Sequence, residues 1–221
     1  MVTQTPELDE IKHLMDAEND FCTAAELAGI LVEFTKDNDE KFAALHLLGI
    51  CTRMVFGGDS LSERMLQTVI ELELRHTDKT LAPRAHRDLG MVYVDMEDYS
   101  KAGHHVETSY FLLEEQGEYQ EAAISQGFIG RVALCVGDTE RAYLLMSLAD
   151  EKLKHGDDRS AELNNLIWLM QASVPLQRLK DHRRAIKLAK QVGTKRRCKE
   201  AHLILLSPRL YKFAKARLPR N

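Results

Sequence analysis

Apolar residues along most of this chain return every three or four positions, as in Leu89, Val92, Tyr93 and Met96, or Ala142, Leu145, Met146 and Ala149. That period places them on one face of a helix. No stretch alternates in the manner of a strand. The pattern predicts helices over 38–56 and 60–76, 82–96 and 99–116, 119–136 and 139–155, and 159–174 and 181–192. Gly117, Gly156 and Gly193 each follow a helical stretch and precede polar residues. A glycine takes the left-handed conformation cheaply after the last helical residue, and acidic or hydroxyl side chains favour the start of the next helix. Each pair of helices is therefore predicted to be an antiparallel hairpin, four in all. Two shorter segments precede them, one around Leu8, Ile11, Leu14 and Met15 and one from Phe21 to Val32.

The hairpins repeat. Asp59, Asp98, Asp138 and Asp181 are separated by 39, 40 and 43 residues, with Cys51, Gly90, Gly130 and Ser173 eight places earlier. Four places after the aspartate stand Glu63, Ala102, Ala142 and Ala185. Small residues at these offsets are what two helices need where they cross closely. The first unit is the most degenerate, and Pro175 in the fourth predicts a kink or an early end to that unit's first helix.

The run Leu89-Gly90-x-x-Tyr93 followed by Asp98-Tyr99-Ser100-Lys101-Ala102 resembles the core of a tetratricopeptide repeat, and Ile129-Gly130 with Asp138-Thr139-Glu140-Arg141-Ala142 resembles a second. The spacing departs from that family's usual 34 and is similar to the longer, roughly forty-residue form of bacterial regulators and peptide-sensing proteins. The resemblance implies an all-α, right-handed superhelical solenoid. Its parts would be N-terminal capping helices in 1–37, four hairpins in 38–194 and a basic capping helix and tail in 195–221, since terminal repeats need covers. It also implies that the first helix of each hairpin lines a groove for a protein segment or peptide. Arg84, Arg87, Met91, Val94 and Asp95 take the groove positions in one hairpin, and Ile124, Gly127, Arg131, Leu134 and Cys135 in the next. Chaperone-binding relatives use lysines and asparagines there, so that partner is disfavoured. The thirty-seven residues before the repeats are too few for the DNA-binding domain that such regulators carry.

In the fourth hairpin, Asn164 and Asn165 adjoin the apolar run Leu166 to Met170. Either amide can donate to and accept from an extended peptide, with Trp168 packing a side chain. The alternative is that Trp168 is core and the asparagines are exposed. For Gly127 and Gly130, close helix crossing is the structural alternative to ligand contact.

Charge sharpens the picture. From Leu176 onward there are fifteen Lys and Arg against Asp181 and Glu200, a formal +13, and −17 for everything before. Arg183, Arg184, Lys187, Lys195, Arg196 and Arg197 are the candidate basic surface. Three readings stand: a solvated cap, a docking surface for an acidic protein or nucleic acid, and weak membrane-surface binding by Leu210–Leu218. The acidic body and basic end also allow head-to-tail homo-oligomers.

Composition adds little more. Hydrophobic residues make up 44%, with 12 Gly and 5 Pro in 221 residues. No run of eighteen apolar residues is present, so a cytoplasmic protein without integral membrane segments is expected. Cys22, Cys51, Cys135 and Cys198 are scattered, which predicts buried thiols rather than disulfides or zinc. His86-Arg87-Asp88-Leu89 spells the start of a kinase catalytic loop, but Tyr93 stands where the metal-binding asparagine belongs. Gly57-Gly58-Asp59 lacks the Lys-Ser/Thr of a phosphate loop, and the adjacent His104 and His105 cannot share a metal as an i, i+4 pair would. No catalytic residue, cofactor or metal is predicted.

Overall fold

The computed structural model describes residues 7–18, 20–72, 79–192, 199, 201, 204 and 205. All regular structure among them is helical: α1 (Leu8–His13, continued by a π turn, Leu14–Glu18), α2 (Phe21–Phe34), α3 (Asn38–Phe56), α4 (Ser60–Glu71), α5 (Leu81–Asp95), α6 (Tyr99–Gln116), α7 (Tyr119–Val136), α8 (Thr139–Leu153), α9 (Arg159–Ala172) and α10 (Pro175–Gln191). Within each unit neighbouring helices pack as antiparallel hairpins, the tetratricopeptide-like arrangement. The chain forms two compact units, one running to Gln116 and the other beginning at Gly117.

The helix starts follow from one device. Asp20, Asp37, Asp59, Asp98, Asp138 and Asp158 each accept a hydrogen bond from the backbone N–H three residues on, those of Thr23, Glu40, Ser62, Lys101, Arg141 and Ala161. Each such cap is worth about 1 kcal/mol. The helices before Gly117 and Gly137 end on a glycine of positive φ, +77° and +92°, whereas Gly156, expected to do the same after α8, has no positive φ. Glu97 occupies the equivalent place before Asp98 with φ +62°, at a steric cost that glycine avoids.

In the first unit, α2 packs along α3 and buries Ala24, Ala28 and Leu31 against Ala44 and Cys51, with Ile11 of α1 closing the cluster. Gly90 of α5 crosses α6 so closely that a Cβ there would lie 2.5 Å from Val106 Cγ1 and 3.1 Å from the Ala102 carbonyl oxygen. The second unit repeats this contact. A Cβ on Gly130 of α7 would meet Met146 Cγ at 2.7 Å and the Ala142 oxygen at 3.2 Å in α8. The small residue before the aspartate and the alanine after it thus mark one helix crossing, used twice. In the degenerate first hairpin the close approach moves to Gly49, where a Cβ would lie 3.0 Å from the Leu66 side chain.

The fourth hairpin departs from the predicted register. Helix α9 ends at Ala172, as Pro175 requires, but Pro175 then opens α10 instead of lying in a turn that runs to Asp181. Proline suits the first helical turn, where its missing N–H needs no partner. Asp181 is consequently no cap. It is buried within α10, where Ser173 Oγ lies 3.3 Å and Gln177 Nε2 2.9 Å from its carboxylate. The core of this unit collects Leu163, Leu166, Ile167, Trp168 and Met170 of α9, Ala185 and Leu188 of α10, and Ala201 and Ile204 beyond it.

The cysteine expectation holds for one residue and fails for two. Cys51 is buried and its thiol is pushed up to about 12 by that burial, whereas Cys22 and Cys135 are exposed. Lys195, Arg196, Arg197, Cys198 and the Leu210–Leu218 segment lie outside the described residues. No described helix is long and apolar enough to cross a membrane.

Candidate binding surface

In the first unit, two polar bridges join the neighbouring first helices α3 and α5. His46 Nε2 lies 2.9 Å from Asp88 Oδ2, and Arg53 Nε donates to Asp95 Oδ2 at 2.9 Å. Both pairs bridge positions 42 apart, and successive bridges stand two helical turns apart, so the helices are held in register. Burial pushes the Asp88 carboxyl up, but the His46 hydrogen bond and the nearby Arg87 and Arg53 charges outweigh it and hold Asp88 below its ordinary range. Of the predicted groove residues, Arg84 and Arg87 are half-buried beside this ladder. Asp95 is engaged with Arg53, and Met91 is wholly buried, so it presents no surface to a ligand here.

Facing residues of the α5–α6 hairpin form a second polar group. His86 Nδ1 lies 2.9 Å from His105 Nδ1, one ring donating and the other accepting. Burial lowers His86 to about 4, helped by the neighbouring His105 and His104. His105 stacks on Tyr93 with ring centroids 5.4 Å apart, and the Tyr93 hydroxyl donates to Glu63 Oε1 of α4 at 2.7 Å. His86 and His105 lie on either side of the turn between α5 and α6, so the hairpin packing brings the two rings together.

In the second unit, the neighbouring first helices α7 and α9 carry the remaining predicted residues. Arg131 of α7 stacks its guanidinium over the Trp168 ring of α9, 5.0 Å from the centroid, and Phe128 meets the same ring edge-on at 4.9 Å. Asn164, one turn before Trp168, is half-buried. Neither amide is fully exposed. Asn165 is buried, donates from Nδ2 to the Met146 carbonyl at 2.9 Å, and leaves its Oδ1 without a hydrogen-bond partner. That oxygen lies 2.7 Å from where a Cβ on Gly127 would be, so Gly127 makes room for Asn165. Trp168 is itself 8% exposed and belongs to the core, with one face closed by Arg131.

The candidate basic surface divides. Arg184 is not available to an outside partner. Its Nη1 donates to Asp150 Oδ2 at 2.7 Å and its Nη2 binds Glu162 Oε1, bridging two buried carboxylates. Arg178 also turns inward, donating to the Met170 and Ser173 carbonyls and so satisfying the end of α9. Arg183 and Lys187 are exposed. Among the described residues no group of three or more His, Cys, Asp or Glu side chains is placed to hold a metal ion.

No protein-family model and no curated protein matches the chain. Solved structures do. A Rap protein complexed with Competence and Sporulation Factor matches with a TM-score of 0.74 over 93% of this chain and 64% of its own, at 13% identity. Aspartyl phosphate phosphatase F from Bacillus subtilis gives 0.66 over 96% and 57%, at 16% identity. A kinesin light chain from Podosopora anserina with nearly identical TPR-like repeats gives 0.53 over 96% of each chain, at 15% identity. The chain thus spans less than two thirds of the first two. At such identities the likeness establishes the fold, a TPR-like helical repeat.

Proposed function

We propose that this chain is a non-catalytic, cytoplasmic scaffold that holds an extended protein segment or peptide against the first helices of its hairpins. On this reading its repeats belong with the long, roughly forty-residue repeats of bacterial regulators. The observation that carries the reading is the α7–α9 surface, where the Arg131 guanidinium lies over the Trp168 ring, 5.0 Å from its centroid, and the half-buried Asn164 precedes Trp168 by one turn of α9. A guanidinium placed over an aromatic ring is oriented by that contact, and guanidinium groups recognise carboxylates through paired hydrogen bonds. An asparagine amide such as that of Asn164 can pair with both the N–H and the C=O of an extended backbone. The Rap structure of similar fold, solved with Competence and Sporulation Factor, supports the reading because it shows a fold of this kind holding a partner.

The test is selection of binding peptides from a random library on the full chain, followed by titration of the selected peptide against Arg131→Glu and Asn164→Ala. Both variants are expected to weaken binding at least about tenfold, corresponding to roughly 1.4 kcal/mol, while retaining the helical circular dichroism of the parent. Selected peptides whose affinity neither substitution changes would refute the surface.

A further inference from the structure

Helix α10 sorts its cations by face. Arg178 and Arg184 point inward and are consumed by carbonyls and buried carboxylates, and Asp181 is buried too. What remains outside is of one kind. From Lys180 to Gln191 every exposed residue is Lys180, Arg183, Lys187, Lys190 or Gln191. The four cations follow a 3, 4, 3 spacing that puts them on one stripe of the helix. Among the described residues no carboxylate forms an ion pair with any of them. An ordinary solvated face mixes signs, as α8 does with Glu140, Arg141, Glu151 and Lys152. The α10 stripe does not.

We propose that this stripe is a docking surface for the phosphate backbone of duplex DNA. An acidic protein would meet the same charge, but a stable protein interface is built round buried apolar or aromatic anchors with charges at the rim. The exposed stripe from Lys180 to Gln191 has no such anchor. Backbone binding to DNA needs none, because its free energy comes from counterions released as phosphates are neutralised. The dimensions fit as well. The ten steps from Lys180 to Lys190 extend about 15 Å at about 1.5 Å per residue, enough to reach phosphates on both sides of a B-form major groove about 12 Å wide. Duplex RNA offers a narrow, deep major groove instead. The contact proposed is with the phosphate backbone, which carries no sequence information directly.

The experiment is fluorescence anisotropy of the full chain with a labelled mixed-sequence 24-base-pair DNA at several salt concentrations. Four neutralised phosphates give a log–log slope of about −3.6, so affinity should fall roughly 150-fold between about 50 and 200 mM salt. Substituting Lys180→Gln, Arg183→Gln, Lys187→Gln and Lys190→Gln one at a time should reduce the slope by about 1 each. All four side chains are exposed, so helicity and melting temperature should not change. Duplex RNA of the same sequence and poly-glutamate should bind more weakly than the DNA. Absence of binding at low salt, slopes indifferent to the substitutions, or tighter binding of RNA or poly-glutamate would each overturn the assignment.

Discussion

Replacing Arg184 by alanine removes the cation shared by two buried carboxylates. Asp150 and Glu162 have side chains only 7% and 4% exposed, and the guanidinium reaches both from α10. Breaking a buried ion pair by deleting one partner typically costs about 3–5 kcal/mol, because the remaining charge stays desolvated and unpaired. Here each carboxylate keeps a second cation. Lys154 Nζ lies 2.8 Å from Asp150 Oδ2, and Arg159 Nη1 lies 2.9 Å from Glu162 Oε2. Those partners are 43% and 48% exposed, so they screen the stranded charges only in part. The Asp150 Oδ1 atom, already without a hydrogen-bond partner, adds to the penalty. The expected loss is therefore about 2–4 kcal/mol, which in a chain of this length lowers the melting temperature by roughly 5–15 °C. Urea unfolding followed by circular dichroism measures it. Arg184→Met combined with Asp150→Asn and Glu162→Gln should restore most of the stability, because removing both buried charges removes the reason for the cation. An Arg184→Ala protein within about 0.5 kcal/mol of the parent, the ordinary range for a surface substitution, would refute the network as a structural element.

Gly90→Ala should destabilise by about 1–3 kcal/mol, since its Cβ would press on Val106 and the Ala102 carbonyl. Gly130→Ala should cost less, because the Met146 side chain can bend away; thermal melts rank the two, and the reverse order would count against the crossing geometry. Glu97→Gly relieves a positive φ and should stabilise by up to about 1 kcal/mol after the added freedom of the unfolded chain is subtracted; a lower melting temperature would contradict it. For His86, the folded value of about 4 lies below the ordinary 6.5. The unfolded chain then binds the extra proton first, so stability declines as pH falls from about 6.5 towards 4. Melting temperatures over that range should fall less steeply in His86→Gln, and parallel curves would remove the assignment.

The local structure was legible because its causes are local. Helix period, aspartate caps and the glycine or glutamate that follows several of the helices act within four residues, so most helix boundaries follow from the chain alone. The crossing of Gly90 on α6 and Gly130 on α8 was legible for a related reason. It repeats at a fixed offset from the capping aspartate, and antiparallel helices joined by a short turn bring positions equally distant from that turn face to face. His86 and His105 meet across the same hairpin, but that pairing is set by how α5 and α6 pack rather than by equal distance from the turn. The fourth hairpin broke the rule because a proline at the first position of α10 starts the helix six residues before Asp181 and carries that aspartate into the interior.

The candidate site was only half legible. Sequence placed Arg131, Asn164 and Asn165 on the first helices of their hairpins, and there they are. Burial is not written in any one helix, however, since it depends on what packs against it. Met91 and Asn165 are enclosed by neighbouring helices, and Arg183 and Arg184, adjacent in the chain, differ by about 100° around α10. That rotation sends Arg183 to solvent and Arg184 onto Asp150 and Glu162, 34 and 22 residues away. The chain by itself determined the helices, their caps and the excess of positive charge at its end; the tertiary structure alone decided which of those charges are spent inside, because only packing brings together the distant carboxylates that claim them.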